Sequence, residues 1–229
     1  SAWHAEGVTD TPPYEELEPR FQASILYNGA SWKDRTIESF VGGSDGFCVW
    51  NKEPEPQGRT TTGYYLRKRV DESHDVINEN GSVQPVTIIR LGEVLLNKAE
   101  ACYRLNDAAG ANAAVKAIRD RVGLPYQDKA GENLWKAIRQ ERKVELAYEG
   151  QWYWDLRRWK VAHEQYPTGL NGYQVHGLRI EQQPNGDFVY NYVSVDDKDR
   201  NFPERMYRFP LPSGELSSNA AVSQYPEWK

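Results

Sequence analysis

The densest charged constellation in this chain is Glu141, Arg142, Glu145, Glu149, Asp155, Arg157 and Arg158. Glu141, Glu145 and Glu149 recur at intervals of four, which puts them on one face of a helix. Paired carboxylates are what glycoside hydrolysis or a cation site requires. Three features weigh against both. Carboxylates one turn apart on a single helix stand too close to flank a bond from opposite sides. Arginines near in sequence neutralise them and lower their pKa values rather than raise them. The next histidine, His163, lies 14 residues beyond Glu149 and does not complete a metal set. The preferred reading is a partly buried salt-bridge network that fixes this helix against the next, with no metal and no cofactor. Such networks are expensive to break by removing one partner.

Nucleophilic chemistry has less support. There is no Gly-x-Ser-x-Gly elbow, and His4, His74, His163 and His176 have no evident partners in sequence. The run Val41-Gly42-Gly43-Ser44-Asp45-Gly46 lacks the Gly-Lys-Ser/Thr ending of a phosphate loop and reads as a turn.

Binding is better served than catalysis. Eight Trp and 14 Tyr stand against six Phe and one Met, so most large rings carry a polar handle. Trp3, Trp32, Trp50, Tyr64 and Tyr65 fall in loop-rich sequence. Loops displaying Trp and Tyr suit sugar rings, whose C–H faces are apolar while their hydroxyls seek hydrogen bonds. These five are the candidate ligand-binding residues. Trp152, Trp154 and Trp159 flank the charged run and are expected to pack within the fold, with cation–π contacts from Arg157 and Arg158.

The elements that must position these groups are mixed. Residues 1–85 form a loop-rich segment of short apolar pieces (Phe21 to Tyr27, Thr36 to Val41, Phe47 to Trp50, Tyr64 to Val70) punctuated by Pro and Gly, read as short strands and ordered loops. Residues 87–162 form a helical core. Leu91, Leu95, Ala99 and Cys102 make one apolar face through Leu105. Asp107 N-caps a second helix whose buried stripe is Ala111, Ala114, Val115, Ile118 and Val122, with Gly123 as its C′ residue. A third helix runs from Glu132 to Tyr148 with Leu134, Ala137, Ile138 and Leu146 inward, and Gly150 closes it. A fourth spans Trp154 to Ala162. The first two helices have the size and Ala-rich packing of a tetratricopeptide-like pair. Residues 173–229 hold a hairpin, Gly177 to Gln183 and Asp187 to Val195 about Pro184-Asn185-Gly186, and an extended Pro-rich tail from Tyr207 to Pro212, with a turn of helix from Ser213. The expected class is mainly α with irregular loops and short β hairpins (α+β), in a single domain.

With 229 residues, 39% of them hydrophobic and 27% charged, the chain can bury a core and is too apolar for a disordered one. A net charge of −5 without a basic helix stripe argues against nucleic acid. Cys48 and Cys102 are distant in the pattern, and Cys102 falls on an apolar helix face, so no disulfide is expected. No window approaches a membrane span.

Several runs resemble those of the SusD/RagB family. Ile89 to Ala101, IRLGEVLLNKAEA, is similar to the family's IRLAEVYLNYAEA helix, and the likeness continues through Ala117 to Pro125. Glu141 to Gly150, ERKVELAYEG, followed by Trp154 to Trp159, WDLRRW, matches its most specific run. Leu17 to Phe21 resembles DPRF, and Thr62 to Lys68 resembles TGYY-K. Phe209 to Pro212, with Glu215, Asn219 and Gln224-Tyr225-Pro226, resembles the family's closing motif, although Tyr225 and the following Glu-Trp depart from it. Family members are longer and begin with a lipoprotein signal, so the chain is expected to be the C-terminal half, its lipid anchor lying elsewhere. The resemblance implies a SusD-like fold and a surface-exposed protein of the outer membrane. It implies no catalysis: such a protein captures oligosaccharide and delivers it to a TonB-dependent, SusC-like transporter. The matched motifs are mainly fold determinants, and no binding residue carries over by position. Peptide binding within the same family, a helical protein-interaction scaffold, and a glycosidase using Glu141, Glu145 or Glu149 are the alternatives.

Overall fold

The structure, a computed structural model, describes residues 11–46, 59–75, 78, 81–167, 175–196, 198 and 200–229. Helices dominate, with three separate pairs of antiparallel strands among the described residues, which is the α+β mixture the sequence implies. The chain gathers into two compact units. One comprises residues up to Gln151 together with His176–Val195, and the other comprises Trp152–Val175 with Asp196–Lys229.

In the first unit, helix α1 (Pro19–Ser24) leads into strand β1 (Ile25–Leu26), then β2 (Ser31–Trp32), β3 (Arg35–Thr36) and β4 (Tyr65–Leu66). Sequence alone suggests a strand over Phe21 to Tyr27. The first part is helical instead, because Pro19 at the start of the helix has its φ preset and gives up an amide that needs no partner there. β1 pairs with β4 through Ile25–Leu66 and Leu26–Tyr65, and β2 pairs with β3. Leu26, Ala30 and Ile37 are buried between them, with Tyr27, Trp32 and Tyr65 packed around.

The helical layer is α2 (Leu91–Arg104), α3 (Ala108–Arg121) and α4 (Gly131–Glu145). Asp107 caps α3 by accepting from the Gly110 amide, and Gly123 takes the left-handed φ of +71° just past its end. Small residues let the three helices close on one another: Ala99, Ala111, Ala114 and Val115 pack with Leu134 and Ile138, and Leu96, Ile118 and Leu146 form a second cluster. Each large aliphatic buried there contributes about 1.5–3 kcal/mol. Leu91 departs from the expected face. At 71% exposed, it lies in the first turn of α2, outside both clusters. α4 also ends earlier than the periodicity suggests. Leu146 caps it, and Tyr148 adopts a left-handed φ of +63°.

The hairpin, β5 (His176–Gln182) with β6 (Phe188–Ser194), runs in full register from His176–Ser194 to Gln182–Phe188. Gly186, at φ +92°, supplies the turn that Asn-Gly signals. The loop Thr62–Gly63 docks on β5: the Leu178 amide donates to the Thr62 carbonyl at 2.9 Å. Gly63 has φ +80° and a Cβ there would fall 2.3 Å from the Leu178 carbonyl oxygen, so only glycine fits.

The second unit contains α5 (Gln151–Arg158, all but its first residue), α6 (Ala162–Gln165) and α7 (Ser213–Ser218), with 3-10 turns at Glu204–Tyr207 and Pro226–Trp228. Leu156, Ala162 and Phe202 form its centre. Leu211 in the extended tail is held on both sides by Gln224, whose Oε1 accepts from its amide and whose Nε2 donates to its carbonyl.

Asn112 is a buried polar strut that the pattern does not announce. Its Nδ2 donates to the carbonyls of Ala108 and Lys129, both at 2.9 Å, and its Oδ1 accepts from the Tyr126 hydroxyl at 2.7 Å and the Lys129 amide at 3.0 Å. The bonds to Tyr126 and Lys129 tie the loop between α3 and α4 to α3. Asn112→Ala should lower the urea-unfolding stability by about 1–3 kcal/mol, because it strands buried donors and acceptors. An unchanged midpoint would mean that water replaces the amide without loss.

Candidate functional site

The carboxylates of α4 are neutralised from elsewhere in the first unit. Arg20 donates through Nη1 to Glu141 at 2.6 Å and to Glu145 at 2.9 Å, while its other edge binds Glu18. Arg90 binds Glu145 at 2.6 Å and grips both oxygens of Glu149. Arg119 reaches Glu141 at 3.1 Å, Arg121 reaches both oxygens of Glu145, and Lys68 pairs with Glu149 at 2.6 Å. The Glu141 and Glu145 side chains are only 5% and 1% exposed. Gly92 makes room for this: a Cβ there would stand 2.4 Å from Arg90 Nη1 and 2.9 Å from Glu145 Oε1.

The remaining members of the charged run are placed differently. Arg142, buried on α4, donates to Asn97 on α2 at 2.7 Å. In the second unit Arg158 pairs with the buried Asp155 at 2.8 Å, and Arg157 donates to the carbonyls of Met206 and Tyr207. The ion pairs shown thus bring Glu141, Glu145 and Glu149 together through Arg20, Lys68, Arg90, Arg119 and Arg121, all supplied by distant segments. Trp152 and Trp159 meet edge to face at 6.3 Å, while Trp154, 58% exposed, meets the Tyr153 ring edge to face at 5.1 Å.

The electrostatics are those of a strut. Burial alone would push the Glu145 carboxyl up, but hydrogen bonds from Arg90 and Arg20 outweigh it and hold it below its ordinary value of 4.5. Glu149 is lowered in the same way, against its own burial, by Arg90 and Lys68. A general acid needs a raised carboxyl, which is the reverse of what these surroundings provide. Among the described residues no group of three or more His, Cys, Asp or Glu is placed to hold a metal ion.

Of the aromatic candidates, Trp3 and Trp50 lie outside the described residues. Trp32, Tyr64 and Tyr65 are divided between two surroundings. Trp32 and Tyr65 pack around the β1–β4 cluster, with Lys33 and Arg67 about 6 Å from the Trp32 ring centre, and the Tyr65 hydroxyl donates to the Asp45 carbonyl at 2.9 Å. Tyr64, just before β4, packs instead against the Leu178, Ile180 and Tyr190 cluster of the hairpin. It lines a cleft of about 760 Å³ between the α1–β1 segment and the outer side of α4.

Leu17, Phe21 and Ile25 form one wall of this cleft, and Val144, Ala147 and Tyr148 form the other, with Arg20, Gln140 and Lys143 as polar groups at its surface. Tyr148 is 58% exposed. Behind the Phe21 wall, Tyr14 stacks on Tyr27 at 4.1 Å and on Phe21 at 5.7 Å, and its hydroxyl meets that of Tyr64 at 3.1 Å. Burial, then the neighbouring Tyr64, pushes the Tyr14 phenol far above its ordinary value, and burial raises Tyr64. Both stay neutral hydroxyls. Of these lining residues the sequence singles out Tyr64 but not Phe21 or Tyr148. Phe21 sits in a run that reads as core, and only the left-handed turn after α4 turns Tyr148 outward.

The folded-state values of Glu145 and Glu149 lie below the unfolded ones, so their stabilisation is complete above pH 4.5 and is lost as pH falls through the folded values. Glu145→Gln should cost about 3–5 kcal/mol at neutral pH. It should also flatten the acid branch of a circular-dichroism stability profile. An acid branch identical to that of the parent would assign the pH dependence to other groups.

The family model of the SusD family matches residues 4–228. A SusD-like protein P2 of Formosa agariphila is 32% identical over 144 residues, spanning 58% of this chain and 23% of the relative. A crystal structure of a SusD-like protein from Bacteroides fragilis superposes with a TM-score of 0.70 at 29% identity, over 93% of this chain and 39% of that one. A SusD superfamily structure from Bacteroides vulgatus shares the fold at 18% identity, with a TM-score of 0.53 over 99% of this chain and 42% of its own. The chain thus spans about a quarter of the curated relative and about two fifths of these solved structures. With a family model matched across almost its whole length, this chain belongs to the SusD family.

Proposed function

We propose that this protein captures oligosaccharide at the cell surface and hands it to a SusC-like, TonB-dependent transporter of the outer membrane, itself catalysing nothing. Family membership supports the general role. The observation that carries the glycan reading is the cleft beside α4, where Tyr64, Phe21 and Tyr148 present ring surface next to Gln140 and Lys143. Apolar faces beside hydrogen-bonding groups are what a sugar ring asks for. Trp32, with Tyr65 near it, is a second place where a ring surface and cations coincide. No helix among the described residues is long and apolar enough to cross a membrane.

A second reading, a protein-contact scaffold, has an observation of its own. Val83, Val86, Ile88, Ile89, Leu91 and Val94 are all exposed around the start of α2. Clustered exposed aliphatics mark protein contact more often than sugar contact. Peptide capture, in the same family, is the third.

Native affinity electrophoresis through starch, xylan, mannan and pectin separates these readings. Retardation in one gel names the glycan class. The double variant Tyr64→Ala, Tyr148→Ala should then weaken binding about tenfold, on the scale of lost ring contacts. Retardation that the double variant leaves unchanged would move the site away from the cleft. A protein retarded by no glycan yet binding peptide would replace the glycan reading with the peptide one.

A further inference from the structure

The second unit holds a pocket of about 450 Å³ that shares no lining residue with the cleft beside α4. It is within the about 300–1,000 Å³ range of small-molecule sites. Its walls bring together four stretches of sequence: Lys160 after α5, His163 on α6, Glu204 to Arg208 on and just after a 3-10 turn, and Glu227 near the C-terminus. Lys160 holds its place through a left-handed φ of +56°, which turns the chain between α5 and α6.

Three cations, Lys160, Arg205 and Arg208, face two carboxylates, Glu204 and Glu227. Among the described residues neither Lys160 nor Arg205 enters an ion pair, and the Arg208–Glu227 pair is long, at 3.4 Å. Both guanidinium groups are held by rings: Arg205 lies 5.0 Å from the Trp228 ring centre and Arg208 lies 4.5 Å from that of Tyr225. Trp228 is itself fixed by donating from its indole nitrogen to the Arg208 carbonyl at 2.8 Å. Stacking occupies the face of a guanidinium and leaves its edge, where the N–H donors lie, for a planar or tetrahedral anion. Beside these cations, the Tyr207 hydroxyl and His163 Nδ1 sit 2.8 Å apart, a polar pair suited to ring hydroxyls.

We infer that this pocket binds an anionic group carried on a sugar ring, a uronate carboxylate or a sulfate ester, so that the glycan captured is acidic. The inference rests on the glycan reading above and adds the substrate class. Lys160 supplies the point charge, Arg205 the oriented donors, and Tyr207 with His163 the contacts to neutral oxygens.

Calorimetric titration of the intact protein with oligogalacturonate, sulfated galactan oligosaccharides and neutral galactan oligosaccharides tests this. The expected result is tighter binding of one acidic oligomer than of the neutral one, and the arm that binds identifies carboxylate or sulfate. Lys160→Gln with Arg205→Gln should weaken that acidic ligand about tenfold or more, the scale of lost charged hydrogen bonds. The melting temperature should stay unchanged. Arg205→Lys, which keeps the charge but loses the fork, should restore part of the affinity. Equal affinity for acidic and neutral oligomers, or acidic binding indifferent to the double variant, overturns the inference and leaves glycan capture standing. Binding in none of these arms by a protein that a neutral glycan gel retards overturns the inference alone, and binding in no arm and no gel removes the glycan reading with it.

Discussion

Everything in the first unit is arranged around a helix that carries its negative charge inward. Glu141 and Glu145 are almost wholly withdrawn from water, and a lone buried carboxylate would be intolerable. The chain answers with five cations from four places: Arg20 from α1, Lys68 after β4, Arg90 just before α2, and Arg119 and Arg121 at the end of α3. Burial pulls the Arg20 pKa down, but the hydrogen bonds it donates to Glu18, Glu145 and Glu141 raise it above its ordinary value, so the pairing is mutual. Loop-rich sequence is thereby bound to the helical layer by charge, where it has too little apolar surface to be bound by core alone. The cleft is a by-product of that joint. Arg20 lies on its surface, and the wall residues Phe21 and Val144 directly follow or precede members of the network.

What could be read beforehand divides along the line between local and non-local causes. The α2–α3 pair, the cap at Asp107, the glycine at 123 and the Asn-Gly hairpin all follow from spacing and turn chemistry within a few residues. The existence of a carboxylate network was legible for the same reason. Its cationic half was not. Arg157 and Arg158 are near in sequence, but they serve carbonyls of the tail and Asp155, while the arginines that reach Glu145 stand 125, 55 and 24 residues away. Periodicity also cannot say where a helix stops finding neighbours, which is why Leu91 fits the apolar stripe yet lies in water. The candidate site suffered most. Tyr64 and Tyr65 are adjacent in sequence and chemically alike, and only the strand pairing of Leu26 with Tyr65 decides which of them reaches the cleft.

The two candidate surfaces differ in kind. The cleft beside α4 is lined mostly by carbon, so the ring contacts proposed for it would depend little on salt. The pocket in the second unit is the opposite, polar and net cationic, and its attraction to an anion weakens as ionic strength rises.

The inferred anion site also gives the aromatics of the tail a role that core packing does not require. Trp228 and Tyr225 are only half-buried, and the residues they stack on are exposed arginines. An unstacked surface arginine samples many rotamers, and ordering it on binding costs about 1.5–2 kcal/mol in side-chain entropy. Held against a ring, it has lost that freedom already, so the ordering penalty falls on folding and not on capture. Preorganisation of this kind raises affinity for a planar anion without adding a contact. A tail serving only to close the fold would gain nothing from it. Arg157, by comparison, lies over Phe209 at 4.4 Å and spends its donors on two backbone carbonyls, which is how an arginine in a purely structural role is used. Arg205 has the ring and no such carbonyls, and that difference marks it as held for a ligand.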